Sequence, residues 1–343
     1  MKALVLEEYN RFALRDVPLP AVGADEVLVR VKACGICGSD VHGMDGSTGR
    51  RIPPVIMGHE AAGVVEETAQ LAAGWKRGDR VTFDSTVYCG SCFHCRRGEV
   101  NLCDNRRVLG VSCAEYRRDG AFAEFVAVPA RILFRLPDNL PFEEAAMVEA
   151  LSVAVHGTGR PPVRLGDAAL VVGAGMIGLL AVQVLKARGC AIVASADVAP
   201  ERLELARNMG ADFTIDTRSL DAAAEMRKRT GGRGADVVVE AVGLPATVRM
   251  AVDCARKGGS LALIGNVAPE VSLPLQSVVT REITLFGSCA SSGEYPACLD
   301  LMARGTVRVR PLLSAVAPLT EGASWFRRLH DREPGLMKVV LAP

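Results

Sequence analysis

Two textures of hydrophobic and polar positions divide this chain. Up to about residue 150 the apolar residues fall in short runs, such as Val27-Leu28-Val29-Arg30-Val31 and Ala61-Ala62-Gly63-Val64-Val65, broken by Gly and Pro. Such runs between turn formers predict strands, and with them a mainly β, barrel-like domain carrying functional loops. The opening Met1-Lys2-Ala3-Leu4-Val5-Leu6-Glu7-Glu8 meets acidic residues too early for a signal peptide and reads as a first strand.

From about residue 165 strands and helices alternate. Ala169 to Val172 is a strand, a helix runs to about Arg188, Ile192 to Ser195 is the next strand, and a helix follows from about Pro200 to Met209. Pro200 suits a first helical turn and Gly210 a helix end. Val237 to Glu240, Ser260 to Ile264 and Ile283 to Phe286 are further strands. Alternation of this kind predicts a parallel sheet covered by helices on both faces. The apolar stretch from Ala168 to Leu185 is long enough to raise a membrane span, but Gly173, Gly175 and Gly178 mark a turn inside it, so it reads as strand and helix. The tail from about 288 leaves the alternation and ends in the strand-like Lys338-Val339-Val340-Leu341.

The turn in that apolar stretch carries the first chemistry. Gly173-Ala174-Gly175-Met176-Ile177-Gly178 fits G-x-G-x-x-G between a predicted strand and a predicted helix. There the glycines permit the tight turn, the approach of a pyrophosphate to the backbone and close helix packing, while the helix N-terminus offers N–H groups to the anion. Asp197 ends the next predicted strand, where an acid accepts from ribose hydroxyls; this favours NAD, with NADP the alternative because Arg202 lies nearby.

A formal net charge of +1 removes the basic field that would attract nucleic acid or anionic lipid, so a small molecule is the expected partner and the cytoplasm the expected location. In that reducing setting the 11 cysteines point to metal rather than disulfides. Cys89, Cys92, Cys95 and Cys103 can deliver four thiolates to one tetrahedral Zn²⁺, leaving no position for substrate, so the site is expected to be structural. Spacing alone leaves an iron–sulfur cluster as the rival. Arg96, Arg97, Arg106 and Arg107 stand beside it in sequence and could offset its negative charge, and His94 reads as a surface side chain.

Elsewhere the first domain holds Cys34-Gly35-Ile36-Cys37-Gly38-Ser39-Asp40-Val41-His42, then Gly58-His59-Glu60, then Glu149. A mixed Cys, His and carboxylate set can hold zinc with one position open, although spacing does not prove that these residues meet. Arg50 and Arg51 read as solvated loop residues, with a grip on a sugar phosphate as the alternative.

These segments, the four-cysteine loop and the glycine motif resemble, in order and separation, the zinc-dependent medium-chain dehydrogenase/reductases over essentially the whole chain. The resemblance is greatest to the sorbitol (L-iditol), galactitol-phosphate and threonine dehydrogenase branch. It implies an α/β fold: a Rossmann doubly wound parallel sheet domain at 153–287, and a mainly β, GroES-like barrel catalytic domain formed by 1–152 and 288–343. It implies two zinc ions per chain, one structural and one catalytic, the latter with Cys37, His59, Glu60 and Glu149. Cys34 would then be a buried thiol and Asp40 a support for the site. By the same resemblance a proton leaves the substrate through Ser39 and the cofactor ribose to His42, and the protein is a homotetramer or homodimer.

The implied reaction is hydride transfer from a secondary alcohol of a polyol to NAD, giving a ketose or ketone. The alternatives are an L-threonine 3-dehydrogenase-like oxidation, a sugar-phosphate polyol dehydrogenase, and a nucleotide-binding protein without catalysis. Family members specialised for threonine carry threonine where Ser39 stands, which favours polyols.

Overall fold

The computed structural model describes residues 1–113 and 116–343. Met1–Glu149, Ser292–Arg304 and Val309–Pro343 form one compact unit; Ala150–Ser291 and Gly305–Arg308 form the other. These borders lie a few residues from those expected at 152 and 288, and the short return of 305–308 to the second unit was not foreseen. Both differences have physical causes. Helix Val148–Gly159 runs through the first border, so no turn marks it. Gln183, the polar residue within the apolar helix Met176–Ala187, is buried; its amide donates to the Arg308 carbonyl at 3.1 Å and accepts from the Arg308 N–H at 2.9 Å.

In the first unit the strands Leu133–Arg135, Arg80–Phe83, Glu60–Thr68, Glu26–Gly35, Lys338–Ala342 and Leu313–Pro318 lie side by side in that order, with Phe125–Pro129 also paired to Glu26–Gly35. The chain's last strand thus sits inside the sheet begun by its first hundred residues. Val340 is opposite Gly35 and Leu341 opposite Cys34. A smaller sheet joins Arg11–Asp16, Lys2–Glu8 and Val55–Ile56. Val27, Val29, Val31, Phe83, Phe122 and Phe326 are among the core residues between these elements. The alternation of buried and exposed positions from Val29 to Ala33 is the period-2 signature of a strand with two different faces.

The second unit is a six-stranded, all-parallel sheet. Its strands, in space, are Phe213–Asp216, Ile192–Asp197, Ala168–Val172, Ala235–Glu240, Ala255–Leu263 and Thr284–Gly287. Numbered along the chain this is the order 3-2-1-4-5-6, which reverses direction between the first and fourth strands and opens a ligand crevice at their carboxyl ends. Ala168–Val172 is buried throughout, as a central parallel strand must be when helices cover both faces. No helix among the described residues is long and apolar enough to cross a membrane.

Candidate functional site

The four-cysteine loop folds around a short helix, Phe93–Arg96. One sulfur from each of Cys89, Cys92, Cys95 and Cys103 lies within 4.8 Å of the others, with Cys89 to Cys95 at 4.0 Å and Cys92 to Cys103 at 3.9 Å. A tetrahedral ion with metal–sulfur bonds of about 2.3 Å requires sulfurs about 3.8 Å apart, so the donor set fits zinc. Backbone N–H groups of Ser91 and Cys92, with the Ser91 hydroxyl, pull the Cys89 thiol down to about 5, whereas burial pushes Cys95 up to about 12. Of the neighbouring arginines, Arg97 pairs with Glu99 and covers the Phe93 ring, Arg106 donates to the Asn101 carbonyl and Arg107 to that of Arg117. Amide donors reach the sulfurs, from Cys89 N–H to Cys103 at 3.3 Å and from Asn105 to Cys89 at 3.9 Å. His94 is a partly exposed surface side chain, bonded to Glu99 at 2.9 Å.

The second donor set gathers Cys37, His59 and Glu60, each offering an atom within 4.8 Å of the others. Cys37 caps the four-residue helix Gly38–Val41, and Asp40 in that helix accepts from the Cys37 N–H at 3.4 Å. His59 and Glu60 lead into the strand Glu60–Thr68, which pairs Glu60 with Gly35. A Cβ at Gly35 would overlap a Glu60 carboxylate oxygen, so glycine is what lets that carboxylate lie over the strand. Asp40 is fully buried and its Oδ1 lies 3.4 Å from His59 Nδ1, which leaves Nε2 as the nitrogen for a metal. Burial alone would raise the Asp40 carboxyl, but His59 and Arg51 hold it well below the usual carboxylate range. Cys34 stands outside the set; it is buried, and burial, Asp40 and Glu60 push its thiol well up, as suits an inert core residue.

Three neighbours carry no sequence motif of their own. Lys338, on the last strand, is 3% exposed and places Nζ 2.6 Å from Glu60 Oε2 and 3.0 Å from the Ile36 carbonyl. Burial opposes its charge, but Glu60 and Cys37 raise its pKa and keep it protonated. Asp84 and Ser85 follow the strand Arg80–Phe83. Ser85 donates to Glu149 at 3.3 Å, and Asp84, 5% exposed, is pushed up to about 7 by burial, with Glu149 and Glu294 adding to the rise. Glu149 itself is raised by burial and by Glu60, while His59 and Lys338 pull it down. It lies in the electrostatic reach of the Cys37 set but is not one of its three close donors.

Ser39 and His42 lie on the exposed side of the same short helix. Ser39 Oγ accepts from Arg51 at 3.3 Å, and the His42 carbonyl accepts from Ser47 at 2.7 Å. Arg51 is not solvated: it is 3% exposed and paired with Asp40 at 2.9 Å, whereas Arg50 is exposed.

In the second unit Gly173 closes the first strand with φ at 96°. A Cβ on Gly178 would overlap the Gly173 carbonyl, so the helix Met176–Ala187 packs against the turn only because of that glycine. Gly175 is its N-cap and offers no side chain, which leaves the amides around Met176 and Ile177 for an anion. Asp197 ends the second strand, accepting from Ala174 N–H at 2.6 Å and Ala199 N–H at 2.9 Å, so its carboxylate is fixed beside the glycine turn. Arg202 is exposed on the helix Pro200–Asn208.

Comparison with known proteins agrees with this arrangement. Residues 23–138 match the alcohol dehydrogenase GroES-like domain and residues 177–304 match the zinc-binding dehydrogenase family. Sorbitol dehydrogenase of Bacillus subtilis (strain 168) is 33% identical over 347 residues, covering 100% of this chain and 97% of that protein. Galactitol-1-phosphate dehydrogenase from Escherichia coli superposes with a TM-score of 0.93 at 27% identity, over 100% of both chains. A zinc-binding dehydrogenase from Sinorhizobium meliloti 1021, solved bound to NADP, gives a TM-score of 0.91 at 32% identity, over 100% of this chain and 99% of the other. With a GroES-like unit bearing the cysteine-rich sites and a parallel-sheet unit bearing the glycine turn, the chain belongs to the zinc-dependent alcohol dehydrogenase family and is an oxidoreductase.

Proposed function

We propose that the protein oxidises a secondary alcohol of a polyol or sugar alcohol to a ketose or ketone, with NAD as hydride acceptor and two zinc ions per chain. The observation that carries the reading is the convergence of half-buried Cys37 with buried His59 and Glu60, the histidine facing Asp40 through one ring nitrogen. When bound there, zinc supplies the Lewis acidity that makes a substrate hydroxyl acidic near neutral pH, and the dinucleotide supplies the hydride acceptor.

Cys37, His59 and Glu60 would hold the catalytic ion, with Glu149 as a further ligand or as the partner of its water. Asp40, with Oδ1 3.4 Å from the buried Nδ1 of His59, would orient that ring. Ser39 receives the substrate's proton and passes it toward His42. Cys89, Cys92, Cys95 and Cys103 would hold the structural ion, because four sulfur donors leave no open position. Gly173, Gly175, Met176, Ile177 and Gly178 would cradle the pyrophosphate and Asp197 the ribose, while exposed Arg202 suits a 2′-phosphate.

An unphosphorylated substrate is favoured, since Arg51 is committed to Asp40 and only Arg50 of the adjacent pair is exposed. A cytoplasmic setting suits the thiolate donors. Self-association as a homodimer or homotetramer is supported by the strand Thr284–Gly287, which ends the parallel sheet, and by exposed Leu275 and Val279 in the helix before it. Zinc counting with a polyol panel and NAD⁺ tests the proposal. About two zinc ions per chain and turnover of a secondary polyol are expected; one zinc, with no alcohol turned over, would overturn it.

A further inference from the structure

Arg51 is built into the molecule in a way a loop arginine need not be. Its guanidinium is buried with Nη2 at 2.9 Å and Nε at 3.3 Å from Asp40 Oδ1, and the same Nη2 lies 3.3 Å from Ser39 Oγ. Its aliphatic stem crosses Gly43, where any Cβ would overlap Arg51 Cγ. The segment from 43 to 51 therefore wraps the side chain instead of releasing it to water. We propose that Arg51 is a positioning residue for the proton path through Ser39, an inference that rests on the dehydrogenase reading above.

The argument is one of hydrogen-bond capacity. A serine hydroxyl has one O–H and two lone pairs, and a guanidinium donates but neither accepts nor releases a proton at working pH. The Arg51 N–H takes one lone pair of Ser39 Oγ and so fixes the direction of the rest. The second lone pair is left for the substrate's hydroxyl proton, and the Ser39 O–H is left to give its own proton onward. As the carbinol C–H electron pair leaves as hydride for the nicotinamide, the substrate proton binds Oγ and the original Oγ proton departs, so one proton per turnover reaches solvent. The same guanidinium holds Asp40, so one side chain ties Ser39 to the carboxylate that faces His59. Arg51 orients Ser39 without itself taking part in the transfer.

A cycle of variants tests this: Arg51→Lys and Arg51→Met, each alone and on Ser39→Ala, read by kcat, KM, zinc per chain and melting temperature. A lysine keeps the charge on Asp40 but cannot fork to both partners. Arg51→Lys should keep its zinc, melt within about 3 °C of the parent, and lose roughly tenfold in kcat with KM little changed. On Ser39→Ala the same change should cost less than about twofold, since the partner it acts through is gone. Independent, multiplying losses, full kcat in Arg51→Lys, or zinc lost from it would overturn the proposal, and the lysine cycle decides if the methionine variant does not fold. A parent protein with zinc bound but no alcohol turned over would fail the dehydrogenase reading first. A working parent with independent losses fails only the role of Arg51.

Discussion

Lys338 and Glu60 form an ion pair of 2.6 Å in which neither side chain is more than 3% exposed. The two residues are 278 positions apart, and their pairing ties the last strand of the chain to the candidate metal centre. Removing one partner strands the other charge in the interior, which costs roughly 3–5 kcal/mol. Lys338→Met should therefore lower unfolding free energy by about that much, measured by denaturant titration. Lys338→Met with Glu60→Gln should recover a good part of the loss. An unchanged midpoint in the single variant would show that the pair does not hold this region together.

The two cysteine sets should separate in a metal and stability assay. Cys37→Ser is expected to abolish turnover and lower zinc content by one while the protein stays folded. Cys92→Ser is expected to lower the melting temperature first, because its loop is organised around the four sulfurs rather than around an apolar core. Equal loss of folding in both would contradict the division between catalytic and structural ions. Treatment with a strong chelator should follow the same order, with activity lost before the fold.

Asp84 should make stability fall as pH rises. Its carboxyl is pushed from an ordinary 3.8 up to about 7 by burial and by the nearby Glu149 and Glu294. Between those values the folded protein binds a proton that the unfolded chain has already released. The stabilisation is thus fully present below about pH 4 and is lost as pH rises through about 7. Asp84→Asn keeps an acceptor for the Thr86 N–H, 2.8 Å away, and removes the titration. Its stability relative to the parent should improve by up to about 3 kcal/mol between pH 5 and pH 8. Parallel pH profiles for the two proteins would refute this.

Asp197 should set the cofactor preference. Its carboxylate is oriented by Ala174 and Ala199 N–H groups, so on the proposed reading it would meet a ribose as a fixed acceptor and repel a 2′-phosphate. Asp197→Ala should lower kcat/KM for NAD roughly tenfold to a hundredfold and move the NAD to NADP ratio toward NADP. An unchanged ratio would assign the preference elsewhere.

Features written in short spacings are legible along the chain. G-x-G-x-x-G sits between a strand and a helix because the turn, the phosphate approach and the packing each need glycine at a fixed offset, and Asp197 follows one strand later. The four cysteines fall within fifteen consecutive residues, so their convergence required only a local loop. Alternation of apolar runs with helical stretches is enough to forecast the parallel sheet, and five of its strands stand within a few residues of where the alternation puts them; the edge strand Phe213–Asp216, only partly buried, carries too weak an apolar run to be read.

Only the tertiary structure decided the rest. Lys338 reaches Glu60 because an antiparallel pairing sets Val340 against Gly35, and nothing near Lys338 in sequence announces a buried charge. Arg51 looked like a solvated loop residue beside Arg50; burial against Asp40, over a glycine that makes room for it, separated the two. Arg97, Arg106 and Arg107 beside the four cysteines reach Glu99, Asn101 and Arg117, and amides of the Cys89 backbone and the Asn105 side chain meet the sulfurs. Asp84 became an unusual acid only when folding enclosed it with Glu149 and Glu294. The physical reason is common to all four. A spacing motif reports contacts within one turn or one loop, whereas burial and charge balance are set by what distant segments bring to the same few ångströms.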